Sequence, residues 1–205
     1  MKKRLLLLLI SLTLVSCVTP AATKKPDTGT VAETVKTKEA VIPSTANEES
    51  SLNYILGYQA EMEGRWAEAL KYYDEASKLA PASPYLKVQI GRILLRTGKV
   101  KTATEKIEEV INAYPDYLPA LRLLGQLYNG QKKTVDAIRI YEKIAKIDPN
   151  DVEAQLLLGV LYASEKKYSE STEVLEKLLK NRPDNLMALY YLGSVYFDMK
   201  DMENA

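Results

Sequence analysis

Catalysis needs nucleophiles, acid–base groups or metal ligands at workable spacing, and this sequence offers few of them. Its 205 residues contain no histidine and a single cysteine, Cys17. That composition removes the usual zinc sites and the Ser–His and Cys–His nucleophile pairs. Two adjacent glutamate pairs remain, Glu48 with Glu49 and Glu108 with Glu109. The first falls in a polar segment without helical pattern, and the second reads as the solvated face of a helix. The glycines are spaced for packing and form no phosphate-cradling loop. Arg92 and Arg96 are one helical turn apart, and a guanidinium presents a planar fork of donors suited to a carboxylate. The chain carries 28 basic and 27 acidic residues, and three of the basic ones are Lys2, Lys3 and Arg4 at the start. The remainder is slightly acidic, a poor composition for nucleic-acid binding. These residues point to recognition of a protein or peptide, with no enzyme activity, metal, cofactor, small-molecule substrate or nucleic acid.

The surroundings of Cys17 account for it. After the basic head, Leu5 to Val15 is apolar except for Ser11 and Thr13. A helix needs roughly 20 such residues to cross a bilayer, so this shorter run fits the apolar region of a secretory signal. It ends in Leu14-Val15-Ser16-Cys17, which resembles the lipobox of bacterial lipoproteins: an aliphatic residue, a tolerant position, a small residue, then cysteine. The resemblance implies cleavage after residue 16 and acylation of Cys17 as the first residue of the mature chain. Two or more acyl chains hold a protein firmly to a membrane, whereas one is marginal. Val18, where an aspartate would direct retention, implies the periplasmic face of the outer membrane in a cell with two membranes.

Residues 18–49 hold seven Thr, three Pro and no aromatic residue. Such a segment buries too little apolar surface to offset its ordering entropy, and is expected to be a disordered tether. At about 5–6 Å × √n its mean reach is on the order of 30 Å.

From residue 50 the text changes. Gly57, Gly91, Gly125, Gly159 and Gly193 stand 34 residues apart, and so do Pro81, Pro115, Pro149 and Pro183. A fixed period of this length is the mark of a repeat array. The residues at fixed places in each unit resemble those of the tetratricopeptide repeat. The first unit has Leu56, Gly57, Ala60, Ala69, Tyr73, Ala76 and Pro81. The third has Leu124, Gly125, Tyr128, Ala137, Tyr141, Ala145 and Pro149. The implied fold is all-α: a solenoid of helix–turn–helix units stacked into a right-handed superhelix. Its units are residues 50–83, 84–117, 118–151, 152–185 and a partial 186–205. The small Gly and Ala let paired helices approach closely, the larger residues fill the seam, and each proline ends a second helix. Asp116, Asn150 and Asp184 are expected to cap the following helix. The incomplete fifth unit, which lacks a polar end, suggests that the sequence is the N-terminal part of a longer protein.

In this family the first helix of each unit lines the concave surface. By that correspondence the groove shows Tyr54 and Tyr58, then Arg92 and Arg96, then Arg122, Gln126 and Asn129, and finally Leu156, Val160 and Tyr190. Three guanidinium groups facing one trough would suit an acidic ligand, with aromatic residues beside them to grip apolar side chains. The clamp that some family members use for chaperone tails is absent, because its places hold Tyr54, Tyr58, Gln89, Pro119 and Leu123. The resulting expectation is a lipid-anchored scaffold of the bacterial envelope, similar to pilotins or outer-membrane assembly components. The alternatives are a repeat region preceding a catalytic domain, and a self-associating structural lipoprotein.

Overall fold

The chain is regularly punctuated, and the computed structural model, which describes residues 48–200, follows that punctuation. Nine α-helices and no strand occur among the described residues. They are α1 (Glu48–Met62), α2 (Trp66–Leu79), α3 (Pro84–Arg96), α4 (Val100–Ala113), α5 (Leu118–Gly130), α6 (Thr134–Ile147), α7 (Val152–Ser164), α8 (Tyr168–Asn181) and α9 (Leu186–Asp198). The signal segment, Cys17 and the tether as far as residue 47 lie outside the described residues, as do residues 201–205. The tether was expected to run to residue 49, but Glu48 and Glu49 form the first turn of α1. Their charges suit the positive end of the helix dipole. Behind them the buried Ser50 hydroxyl donates to the Ala76 carbonyl at 3.0 Å, tying α1 to the end of α2.

Each second helix stops at the residue before a proline. Ala80, Tyr114, Asp148 and Arg182 have ψ between 66° and 90°, outside the helical region that a following proline disfavours. The next helix starts at the first residue of each expected unit, but its cap position falls one residue later than expected. The capping side chains are Ser83, Asp151 and Asn185; Asp151 and Asn185 each accept a backbone N–H at 2.9 Å, and Ser83 accepts at 3.5 Å. Asp116, Asn150 and Asp184 instead belong to the tight turn after the proline, where Asp116 pairs with Lys143 at 3.2 Å. The short turn inside each unit needs one residue with positive φ. Gly64 and Gly98 supply it, and Lys132, Lys166 and Lys200 hold the same conformation at the equivalent place.

Packing repeats as the sequence does. A Cβ placed on Gly57, Gly91, Gly125 or Gly159 would come within 2.6–2.8 Å of Tyr73, Ile107, Tyr141 or Leu175 respectively. The large side chain of each second helix therefore rests directly on the backbone of its first helix. Ala69, Ala103, Ala137 and Ser171 are fully buried beside them. Consecutive helices pack in chain order, α3 also packs on α5, and α7 on α9. The second helices make no comparable contact with one another. The stack is thus tighter on the side of the first helices, and their outward residues share one face.

A tyrosine ladder links successive units. The hydroxyls of Tyr128, Tyr162 and Tyr196 donate to Glu108, Glu142 and Glu176 of the preceding unit at 2.6–2.7 Å. Glu108 is therefore a structural acceptor and not the freely solvated group expected. Lys133 lies 5.4 Å from the Tyr128 ring and Lys167 lies 5.8 Å from that of Tyr162.

Candidate functional site: the face of the first helices

The face begins with a tyrosine cluster on α1. Tyr54 is half-buried and its hydroxyl shares a hydrogen bond of 2.8 Å with that of Tyr85 on α3. Its ring lies 5.9 Å from Tyr73 and 5.6 Å, edge-on, from Tyr85. Tyr58, one turn later on α1, stacks on it at 6.5 Å and is exposed. Burial, then the hydrogen bond to Tyr85, pushes the Tyr54 hydroxyl up to about 12. Burial also raises Tyr73, whose hydroxyl donates to Glu61 at 2.7 Å. These phenols stay neutral at physiological pH and act only as hydrogen-bonding groups on an aromatic surface.

On α3 the side chains of Arg92 and Arg96 are both exposed. The Arg96 guanidinium lies 5.2 Å from the Trp66 ring centroid, which orients it without neutralising it. Arg122 on α5 behaves differently. Its Nη2 and Nε donate to Asp151 Oδ2 at 2.6 and 3.0 Å. The Asp151 side chain is only 6% exposed, and its other oxygen caps α7. The expectation of three free guanidinium groups in one trough is corrected accordingly: Arg92 and Arg96 carry free charge, while Arg122 is a bridge between α5 and α7. Gln126 and Asn129 on α5 are exposed, and Leu156 and Val160 on α7 are half-buried. Tyr190 on α9 is exposed, edge-on to Tyr191 at 5.4 Å. It stands three first helices away from Arg92 and does not join the Tyr54 cluster.

Sequence reasoning missed Tyr85, Trp66 and Asp151, all of which bind a proposed groove residue. Their signal was present, since Tyr85 and Asp151 flank the start of a first helix, beside the face of its neighbour. It also missed a cavity of about 220 Å³ between α7 and α9. A second crevice, beside Arg122 and the buried Tyr141 hydroxyl, leaves no room for a water molecule. The described residues hold no cluster of acidic or cysteine side chains placed to bind a metal.

This arrangement of helix pairs, with glycine under a large side chain in each of the first four units, matches a known family model. The tetratricopeptide repeat model fits residues 60–127, 98–161 and 128–192, which together span well over half of the chain. The chain belongs to the tetratricopeptide repeat family. Solved structures with the same fold include MamA (41-end) from Desulfovibrio magneticus RS-1, 21% identical with a TM-score of 0.70, covering 77% of this chain and 89% of that one. A tetratricopeptide repeat protein from Parabacteroides merdae is 19% identical with a TM-score of 0.70, covering 77% of this chain and 64% of its own. At such identities the likeness is one of fold. A curated relative, the human Protein O-mannosyl-transferase TMTC1, is 32% identical over 78 residues, which are 37% of this chain and 9% of that protein. Tetratricopeptide repeats are protein-interaction scaffolds, and that coarse role applies to this chain.

Proposed function

We propose that this protein is a non-catalytic scaffold, anchored by lipid at Cys17 to the bacterial envelope, that holds an extended peptide or helix of a partner protein against its first helices. The observation that carries this reading is an aromatic surface, Tyr54 and Tyr58 on α1, tied to α3 by the Tyr54–Tyr85 hydrogen bond, with the exposed guanidinium groups of Arg92 and Arg96 further along α3. Aromatic residues supply apolar contact at low entropy cost, and arginine selects carboxylates by geometry and charge. A partner segment with an acidic residue beside an apolar one fits that pair. No helix among the described residues is long and apolar enough to cross a membrane, so attachment in this reading rests on the acyl chains at Cys17. From the Leu14 to Cys17 motif, Cys17→Ser should leave an uncleaved precursor or a chain that fractionates without lipid. Normal processing and unchanged membrane fractionation of that variant would rule the anchor out.

The match to a transferase suggests a second reading, in which the repeats are one region of a longer protein with a catalytic domain elsewhere. Partner capture by this chain alone, lost on altering Arg92 and Arg96, would favour the scaffold.

A further inference from the structure

The cavity between α7 and α9 has features of a built subsite. Its volume of about 220 Å³ is below the roughly 300–1,000 Å³ of small-molecule sites, and suits a single long side chain. Val160, Ala163, Tyr191 and Val195 form the apolar part of its lining. The oxygen-bearing part consists of Ser164, Ser194 and Asp198. Ser164 and Asp198 are the last residues of α7 and α9, where both helices present their negative ends, and Ser194 lies one turn before Asp198. The Ser164 hydroxyl already donates to the Leu161 carbonyl at 2.7 Å, which leaves its lone pairs to accept. No basic residue occupies the last turn of either helix. A carboxylate at a helix C-terminus is electrostatically disfavoured, so Asp198 does not stabilise the helix that carries it.

We infer that this cavity binds a lysine side chain of the partner peptide, with the methylene stem on the apolar walls and the ammonium at Asp198, Ser164 and Ser194. An ammonium has three N–H donors and no acceptor, and three oxygen-bearing side chains are available to receive them. An amphipathic stem of this kind buries its methylenes while its charge meets a polar end. The inference rests on the proposed groove, since it supplies a third contact on the same face of first helices. The partner segment then carries an acidic residue toward Arg92 and a basic one toward Asp198, which fixes its direction along the stack.

The test uses the full chain in detergent micelles with methyl-labelled alanine and valine. The probes are acetylated, amidated Gly-Lys-Gly and its norleucine and glutamate counterparts. The lysine peptide should shift the Ala163 and Val160 methyl signals saturably, with a Kd at least about tenfold below that of the norleucine peptide. The glutamate peptide should leave them unmoved. Asp198→Asn, a change at an exposed helix end, should abolish the preference for lysine. Ser194→Val should weaken it in a chain of unchanged helicity. Equal binding of lysine and norleucine, a preference that survives Asp198→Asn, or no saturable shift would overturn the inference. The peptides report on α7 and α9 alone. Failure here with partner capture still dependent on Arg92 and Arg96 would leave the proposed function standing; the reverse result would sink that reading and keep the lysine subsite.

Discussion

Single side chains decide two things in this protein, how closely the helices approach and which charges remain available. The glycine under each large residue is the clearest case. A methyl group on Gly125 would lie 2.8 Å from Tyr141 Cζ, and Tyr141 is only 2% exposed. The ring has no free space to retreat into, so Gly125→Ala should cost about 1–3 kcal/mol, read as a lower midpoint in urea with an unchanged slope. The arginines make a second contrast. Arg122→Gln leaves the nearly buried Asp151 carboxylate without its cation and should cost about 1.5–3 kcal/mol, nearer the lower figure because the guanidinium is partly solvated. Arg92→Gln removes an exposed group and should stay within about ±0.5 kcal/mol. Equal effects of the two substitutions on the unfolding midpoint would contradict this assignment. The helical faces of Arg92, Arg96 and Arg122 were legible from the repeat. The Asp151 partner was not, because a periodic pattern assigns each residue a face without saying which neighbour its charge will reach.

At the scale of the helices, the units are joined by unequal junctions. The Tyr–Glu bond recurs at the last three junctions, Tyr128 with Glu108, Tyr162 with Glu142 and Tyr196 with Glu176. At the equivalent places of the first junction stand Leu94 and Asp74, which cannot form it. Burial and the bond to Glu108 together push the Tyr128 hydroxyl up to about 12, and burial, then the bond to Glu142, raises Tyr162 in the same direction. A double-mutant cycle on Tyr162→Phe and Glu142→Gln should therefore give a coupling of about 0.5–1.5 kcal/mol in global stability. The matching cycle on Leu94→Ala and Asp74→Asn should give none. Additivity at both junctions would show that the short O–O distance carries no net energy. The repeat places the first of these tyrosines, Tyr128, in the seam between helices, where its half-buried ring packs against the core. Their hydroxyl partners come from the previous unit, so the bond emerges only once neighbouring units are stacked. The capping residues were displaced by one position for a related reason: the residue after each proline is needed to complete the turn.

The whole stack was legible from end to end because each unit touches only its neighbours, and a 34-residue period therefore determines the architecture locally. Recognition was less legible, since it depends on which side chains on the first-helix face keep their charge after the stack has formed. Within that face, Tyr54 is held by Tyr85 and Tyr73, whereas Tyr58, Arg92 and Arg96 are exposed. Affinity for an acidic, apolar segment should divide accordingly. The Arg92→Gln, Arg96→Gln variant should lose most partner binding while its unfolding curve stays close to wild type. Charge-assisted hydrogen bonds contribute about 1.5–3 kcal/mol each, so two of them amount to a loss of two or more orders of magnitude in Kd. Raising salt should reproduce part of that loss in the wild type, because it screens exposed charges, and should have little further effect on the variant. Tyr58→Ala should weaken binding with no change in salt dependence, since it removes contact area and leaves the charges in place. Capture of partner proteins across a salt series by these two variants and by Arg122→Gln distinguishes the cases. Loss confined to the Arg122→Gln variant would place recognition at the α5–α7 bridge and leave Arg92 and Arg96 as solvated residues.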